Sequence, residues 1–150
     1  MKPTTPEAAA PRLADFLCFA VYSANLAFGR AYKPILDQLG LTYPQYIAIV
    51  ALWEEDDQTV SRLGEKLFLE SNTLTPILKK LESMGYLTRR RDPKDERQVR
   101  VNLTEAGRRL REKGLTMNLI KQTRLPPEEF AKLQKAVSNL RDSLMEAVGE

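Results

Sequence analysis

The chain has 150 residues, of which 43% are apolar and 29% are charged, and its formal net charge is +3. This length and apolar content predict a single compact domain with a core of its own. No apolar run approaches the roughly 18 residues of a membrane span and the N-terminus lacks the apolar segment of a secretion signal, so we expect a cytoplasmic protein without membrane contact. With one cysteine and no histidine, we expect no internal disulfide, no metal or other cofactor, and no enzyme activity.

The first predicted element is a long helix. Apolar residues recur every three or four positions over residues 13–39, and Gly40 is a plausible stop. Gly29 and Pro34 inside this segment predict a kink at residues 30–34.

Potential helix caps mark the next three elements. Thr42 and Gln45 have the spacing of a capping box, so a second helix begins at about Tyr43. Thr59 is placed to cap the short helix VSRLGEKL, and Ser71 to cap NTLTPILKKLESMG after a short break. Two helices this close together predict a helix-turn-helix.

The second helix of this pair has an apolar stripe and a polar face. Pro76 removes one early helical hydrogen bond without ending the helix. The polar face suits contacts with base edges in the major groove of DNA. The stripe expected to be buried comprises Leu74, Ile77, Leu78 and Leu81, and the predicted recognition residues are Ser71, Asn72, Thr73, Thr75, Pro76, Lys79 and Lys80.

A basic β-hairpin is predicted next. The segments YLTRRR and QVRVNL are β-compatible and flank the charged turn DPKDE. Residues 71–100 hold eight lysines and arginines against four acids, as expected for a surface that binds an anionic polymer. We expect the cations to contact phosphates, Arg97 to enter a minor groove and Asp95 to orient an arginine. The predicted wing residues are Arg89, Arg90, Arg91, Lys94, Asp95 and Arg97; the alternative is a small helical domain with an exposed charged hairpin.

Two further helices are predicted towards the C-terminus. Thr104 is placed to cap a helix that reaches about Lys113. After an interrupted stretch, apolar residues step by three and four as in a helical seam. The seam comprises Phe130, Leu133, Val137, Leu140 and Leu144.

The predicted fold class is therefore mainly α with a small β-hairpin wing (α+β), as a winged helix-turn-helix with a helical dimerisation region. The whole chain, residues 1–150, is taken as one domain. Its parts are a flexible arm at residues 1–11, a winged helix-turn-helix at residues 43–103, and a dimerisation region at residues 12–40 and 104–150.

The order of SNTLTPILKKLESMGYLTRR and DPKDERQVRVNLTEAGRRL resembles the multiple antibiotic resistance regulator (MarR) family over about residues 15–148. The resemblance implies an obligate homodimer formed by the first and last helices. It also implies that two winged helices dock on a palindromic operator in double-stranded DNA.

Cys18 lies on the first predicted helix, where a lone cysteine is usually an inert apolar residue. Helical periodicity returns Tyr22, Asn25 and Tyr32 to within roughly 40° of Cys18. Tyr32 is about 21 Å from Cys18 along a straight helix, so the two residues meet only across a dimer. Antiparallel first helices would bring Tyr32 and Tyr43 to the partner's Cys18, where phenol hydroxyls stabilise a thiolate.

The segment LCFAVYSANLAFGRAYKPILDQLGLTYPQY resembles the organic hydroperoxide resistance regulators within the MarR family. This resemblance implies that Cys18 is the redox sensor, that Tyr32 and Tyr43 bond to it, and that Tyr22 lines its pocket. It further implies a repressor whose thiolate is oxidised to sulfenic acid by an organic hydroperoxide and then captured as a disulfide, which releases DNA.

The stretch LTMNLIKQTRL holds no cysteine, so the chain resembles the one-cysteine branch of these regulators. We expect a low-molecular-weight thiol to trap the sulfenic acid, with sulfenamide formation or overoxidation as the alternatives. Phe16, Leu17 and Phe19 would favour apolar hydroperoxides, or they are ordinary dimer core.

Two other functions stay open at this point. The first is a regulator of the same fold that answers a non-covalent aromatic or phenolic ligand, with Cys18 structural. The second is a thiol peroxidase, which the lack of a resolving cysteine, a CxxC motif and a βαβ pattern disfavours.

Overall fold

The computed structural model describes residues 9–115 and 119–149, with the side chains of residues 114–115 and 119–120 left out. It divides into two units, Met1–Thr116 and Met117–Glu150. The predicted fold class is confirmed, because the described residues form six α-helices and a small antiparallel sheet. Most of the predicted N-terminal arm, residues 1–8, lies outside the described residues.

The helices are α1 (Leu17–Leu39), α2 (Tyr43–Glu54), α3 (Val60–Leu67), α4 (Ser71–Ser83), α5 (Glu105–Leu115) and α6 (Pro127–Gly149). The strands are β1 (Gln58–Thr59), β2 (Leu87–Asp92) and β3 (Asp95–Leu103), and short 3-10 helices cover Leu13–Asp15 and Leu119–Thr123.

The first helix begins later than the apolar periodicity predicts. Phe16 has an extended backbone (φ −85°, ψ 113°) and separates the 3-10 turn from α1. The stop at Gly40 is confirmed, because this glycine adopts a left-handed backbone (φ +70°). α1 continues through Pro34, and the kink near it stays a prediction.

The predicted caps of α2 and α3 are confirmed. At the start of α2, the Gln45 backbone N–H donates to Thr42 Oγ1 at 3.3 Å, and Gln45 Oε1 accepts from the Thr42 N–H at 3.0 Å. Thr59 Oγ1 accepts from the Arg62 N–H at 3.1 Å at the start of α3. The hydroxyls therefore satisfy backbone donors that the first helical turn leaves free.

The predicted cap at Ser71 is wrong. Glu70 occupies the N-cap position with an extended backbone, and Ser71 is already the first helical residue. The Glu70 side chain makes no capping hydrogen bond. α4 therefore begins one residue earlier than the residue type at Ser71 indicates.

The predicted hairpin is confirmed, and the sheet has one strand more. β2 and β3 pair antiparallel, with Leu87 opposite Leu103. β1, which the sequence analysis missed, pairs with the other edge of β3, with Gln58 opposite Val101. The strand order is β1-β3-β2. The predicted five-residue turn is shorter in the structure, because Asp92 and Asp95 belong to the strands.

Leucines from α2, α3 and α4 form the core of the first unit. The predicted stripe of α4 is confirmed for Leu74, Leu78 and Leu81, which are fully buried, whereas Ile77 is only half-buried. α3 and its following turn approach closely, since a Cβ on Gly64 would lie 2.7 Å from the Leu69 carbonyl oxygen. This packing holds the helix-turn-helix in one arrangement.

The start of α5 is joined to the chain that follows α4. The Thr104 hydroxyl donates to the Gly85 carbonyl oxygen at 2.6 Å, and it accepts from the Gly107 N–H at 3.1 Å, which confirms the predicted cap. A Cβ on Gly107 would lie 2.1 Å from the Tyr86 carbonyl oxygen. Trp53 of α2 donates its indole N–H to the Gly107 carbonyl oxygen at 2.9 Å.

The second unit carries the predicted terminal helix, α6. Its side chains include no buried residue. The exposed large apolar residues of α6 are Leu133, Val137, Leu144, Met145 and Val148. None of the described helices is both long and apolar enough to cross a membrane.

Candidate DNA interface and thiol site

The polar face of α4 is open to solvent. Asn72, Thr73, Lys79 and Lys80 are exposed, together with Ser71 and Pro76. Thr75 is half-buried, and its hydroxyl donates to the Ser71 carbonyl oxygen at 2.7 Å. The structure therefore brings the predicted recognition residues to one face opposite the buried leucines, while their contacts with bases stay predictions.

The wing, defined as β2, β3 and their turn, carries exposed cations along β2, in the turn and on β3. Arg90, Arg91 and Lys94 are exposed, and the Arg97 side chain is 92% exposed. Asp95 Oδ1 accepts from both the backbone N–H and Nε of Arg97 at 3.2 Å. Asp95 thus contacts an arginine as expected, and the phosphate and minor-groove contacts of these residues stay predictions.

Arg89 differs from the other wing arginines. Its side chain is only 21% exposed, and its guanidinium contacts Glu82 Oε1 of α4 at 3.2 Å. Its backbone N–H also donates to Glu82 Oε2 at 2.9 Å. Arg89, one of the arginines predicted to contact phosphate, is therefore held against α4.

Arg100 is a site residue that the sequence analysis missed. Its guanidinium contacts Asp57 Oδ1 at 2.9 Å and Asp92 Oδ2 at 3.2 Å, and it donates to the Asp57 carbonyl oxygen at 2.9 Å. Asp92 also accepts from the Lys94 N–H at 2.9 Å in the wing turn. Arg100 therefore ties the wing turn to the loop before β1, across a separation of 43 residues.

Both carboxylates bound to Arg100 have shifted pKa values. The hydrogen bond from Arg100 is the main cause that lowers the pKa of Asp57. The pKa of Asp92 is lowered first by the backbone hydrogen bond from Lys94 and then by Arg100. The two aspartates raise the pKa of Arg100 in turn. The cluster therefore stabilises the charged form of each member.

Cys18 lies in the first turn of α1 and is exposed in the single chain. Its neighbours along the chain are exposed as well: Phe16 is 42% exposed, Leu17 is 62% exposed and Tyr22 is 61% exposed. Apolar side chains on an open helix face are typical of a surface that another chain covers. The exposed large apolar residues of this segment are Leu13, Phe16, Leu17, Phe19, Val21, Tyr22, Leu26 and Phe28.

The predicted tyrosines fall into two groups. Tyr32 is buried, and its ring centroid lies 6.1 Å from that of Tyr43 at the start of α2. Cys18 and Tyr22 lie towards the other end of α1, with about 21 Å of helix between Cys18 and Tyr32. The structure therefore brings Tyr32 and Tyr43 together, and within one chain it keeps Cys18 apart from Tyr32.

Tyr46 extends the tyrosine cluster and was missed by the sequence analysis. It lies one helical turn after Tyr43 on α2, a spacing that could have indicated it. Its ring meets Trp53 edge-on, with centroids 6.2 Å apart. Burial raises the pKa of Tyr32, with smaller contributions from Tyr43 and Tyr46, and burial likewise raises the pKa of Tyr46. These two phenols therefore remain hydrogen-bond donors at neutral pH.

Comparison with known proteins identifies the family. The family model described as transcriptional regulator SarA/Rot matches residues 30–113. The organic hydroperoxide resistance transcriptional regulator of Bacillus subtilis (strain 168) is 42% identical over 138 residues, which cover 89% of this chain and 92% of that protein. The chain belongs to the MarR family of transcriptional regulators, as a regulator of the organic hydroperoxide resistance type.

Two further relatives agree with this assignment. The HTH-type transcriptional regulator TtmR of Methylorubrum extorquens (strain PA1) is 45% identical over 135 residues, covering 89% of this chain and 69% of that protein. The structure of reduced AbfR bound to DNA superposes on this chain with a TM-score of 0.77 at 36% identity, and the match covers 91% of this chain and 95% of that one. AbfR is a protein of Staphylococcus epidermidis. AbfR has also been solved in an overoxidised form on DNA and in a disulfide form.

The family assignment defines the general activity of this chain. It is a DNA-binding transcriptional regulator with a winged-helix fold, and the assignment of DNA binding to residues 43–103 stays a prediction. DNA is accordingly a partner, and regulators of this family are typically dimers.

Proposed function

We propose that the chain is a homodimeric repressor that releases its operator when an organic hydroperoxide oxidises Cys18. The observation that carries this proposal is the exposure of Cys18 on an apolar helix face, with a buried tyrosine pair further along the same helix. The likeness to the hydroperoxide regulator of B. subtilis and to AbfR supports the proposal.

The first half of α1 and the apolar side of α6 form the dimer contact in this proposal. Large apolar residues are exposed on both segments of the single chain. A second copy would cover them, which removes apolar surface from water. In an antiparallel approach of two α1 helices, the Cys18 end of each lies near the Tyr32 end of the other.

In this proposal the phenol groups of Tyr32 and Tyr43 act on the partner's Cys18. The phenol of Tyr32 is protonated at neutral pH, so in this proposal its hydroxyl donates a hydrogen bond to the thiolate. Tyr43 is 43% exposed and its ring lies beside that of Tyr32, so in this proposal it contributes a second phenol at the same place. Tyr22, on the Cys18 face of α1, lines the approach to the sulfur.

The proposed reaction consumes one hydroperoxide and one small thiol. The Cys18 thiolate attacks the outer peroxide oxygen and the O–O bond breaks, so the OH group passes to sulfur, which becomes a sulfenic acid, while the alkoxide leaves and takes a proton from water to become the alcohol. A low-molecular-weight thiol then attacks this sulfur and displaces water, which leaves a mixed disulfide. The added group occupies the dimer contact and shifts the winged helices away from the spacing that a palindromic operator requires.

DNA release by the reduced and oxidised protein tests the proposal. The probe is a duplex selected from random-sequence DNA by the unmodified protein, followed by fluorescence anisotropy. We expect tight binding in reductant, loss of binding after about one equivalent of cumene hydroperoxide with a small thiol, and recovery with excess reductant. Mass spectrometry should find the thiol adduct on the peptide that contains Cys18.

The matched variant is Cys18→Ser, which replaces sulfur with oxygen and cannot be oxidised in this way. It should bind the duplex as tightly as the unmodified protein and stay bound after peroxide. Release of this variant by peroxide would overturn the redox proposal. Release by an aromatic compound in reductant would instead assign the regulator to non-covalent ligands.

A further inference from the structure

Glu82 bridges α4 and the wing. One of its carboxylate oxygens accepts the backbone N–H of Arg89 at 2.9 Å, and the other contacts the guanidinium of the same residue at 3.2 Å. Glu82 belongs to the last turn of α4 and Arg89 to β2. One carboxylate therefore holds both the main chain and the side chain of the strand that begins the wing.

The turn between α4 and β2 makes this contact possible. Gly85 has a left-handed backbone (φ +84°), and the Tyr86 N–H donates to the Leu81 carbonyl oxygen at 3.0 Å. The chain thus reverses at the end of α4, and β2 runs back beside the helix. Residues 82 and 89 come to face one another across this reversal.

The burial of Arg89 separates it from the arginines that reach into solvent. Its Nε atom is buried and has no hydrogen-bond partner among the described residues. Its side chain is 21% exposed, against 92% for Arg97. The guanidinium of Arg89 therefore contacts α4, whereas that of Arg97 is open to solvent.

We propose that Glu82 is a positioning residue for DNA recognition: through Arg89 it sets the wing relative to α4, so that both elements engage the operator at once. Phosphate contacts fix the register of a protein on DNA, and they do so only when the cations are held in place. The exposed cations of the wing depend on this support for their position. Glu82 itself carries a negative charge, which the DNA phosphates repel.

The effect of Glu82→Gln distinguishes positioning from simple electrostatics. Removal of a negative charge near DNA should strengthen binding if charge alone matters. Under the proposal, the variant binds about tenfold more weakly, as loss of a charged hydrogen bond would produce. The slope of log affinity against log salt should also become shallower, because wing cations lose their phosphates.

The experiment measures the full-length protein on the selected duplex at several salt concentrations, with hydroxyl-radical footprinting. We expect Glu82→Gln to lose protection of the DNA flanks under the wing and to keep protection under α4. Glu96→Gln is the control, because it removes an equal charge from an exposed wing residue and should bind at least as tightly as the unmodified protein. Loss of folded protein would lower all protection equally and would not change this pattern.

Arg89→Ala provides a second, independent test. Under the proposal it behaves as Glu82→Gln does, and the double variant is no weaker than either single variant. If Arg89→Ala lowers the slope of log affinity against log salt by about 0.9 and leaves the footprint intact, Arg89 is instead a single phosphate contact. That result, additive effects in the double variant, or tighter binding by Glu82→Gln would overturn the proposal.

Discussion

The segment from α2 to β3 and the first half of α1 use apolar residues in opposite ways. Leu63 of α3 and the leucines of α4 are fully buried within one chain, and Arg89 and Arg100 of the wing pair with carboxylates of the same chain. The first half of α1 instead leaves its large apolar residues open. The winged helix-turn-helix is therefore packed within a single chain, whereas the proposed sensor needs a second copy to assemble.

A charge in the open face of α1 should produce the largest effect. Leu26 is 45% exposed, and Leu26→Glu would place a carboxylate in the proposed dimer contact. Burial of an unpaired charge costs several kcal/mol, so the dissociation constant of the dimer should rise at least about a hundredfold. Sedimentation equilibrium should show half the mass, and operator binding should be lost.

Gln38→Glu is the control for this prediction. It adds the same charge to an exposed position near the other end of α1. A dimer that persists in Leu26→Glu and fails in Gln38→Glu would place the contact elsewhere.

A cavity in the core of the winged helix should have a smaller, purely local effect. Leu78 is fully buried, so Leu78→Ala should lower the free energy of unfolding by about 3 kcal/mol. Urea denaturation measures this loss. Thr73→Ala, at an exposed position of the same helix, should change the stability by less than about 0.5 kcal/mol. Equal losses in the two variants would contradict the division between the buried and open faces of α4.

The smallest effect concerns pH. Arg100 lowers the pKa of Asp57, so this carboxylate stabilises the fold above the ordinary aspartate pKa, and the contribution is lost as pH falls through the lowered value. Asp57→Asn should therefore be less stable than the unmodified protein at pH 7. The difference in urea midpoint should shrink below about pH 4. A constant difference across this range would show that Asp57 acts without its charge.

Local signals in the sequence predicted most of the helices. Thr42 and Thr59 identify the starts of α2 and α3, because a cap depends only on residues within one turn. The same reasoning failed at Ser71, where α4 begins one residue earlier than the preferred cap type indicates. Residue type thus marks a helix start to within a residue, and the backbone at Glu70 decides the exact position.

Contacts between distant parts of the chain account for what the sequence did not predict. β1 has two residues, too few for any periodicity, and it exists because β3 pairs with it 41 to 43 residues later. Arg100 was overlooked for the same reason, since its partners are brought to it by the sheet. Tyr32 and Tyr43 were predicted to meet the partner's Cys18 across a dimer; the structure places their two rings 6.1 Å apart, and the meeting with Cys18 stays a prediction.

The hydrogen bond from Trp53 to Gly107 has an optical consequence. This chain contains one tryptophan, so its intrinsic emission comes from a single indole. That indole lies where α2 meets the start of α5, close to the backbone that follows α4. Any change that draws α5 away from the end of α4 exposes the indole to water and shifts its emission to longer wavelength. The tryptophan emission of the unlabelled protein therefore reports on the contact between α5 and the chain that follows α4.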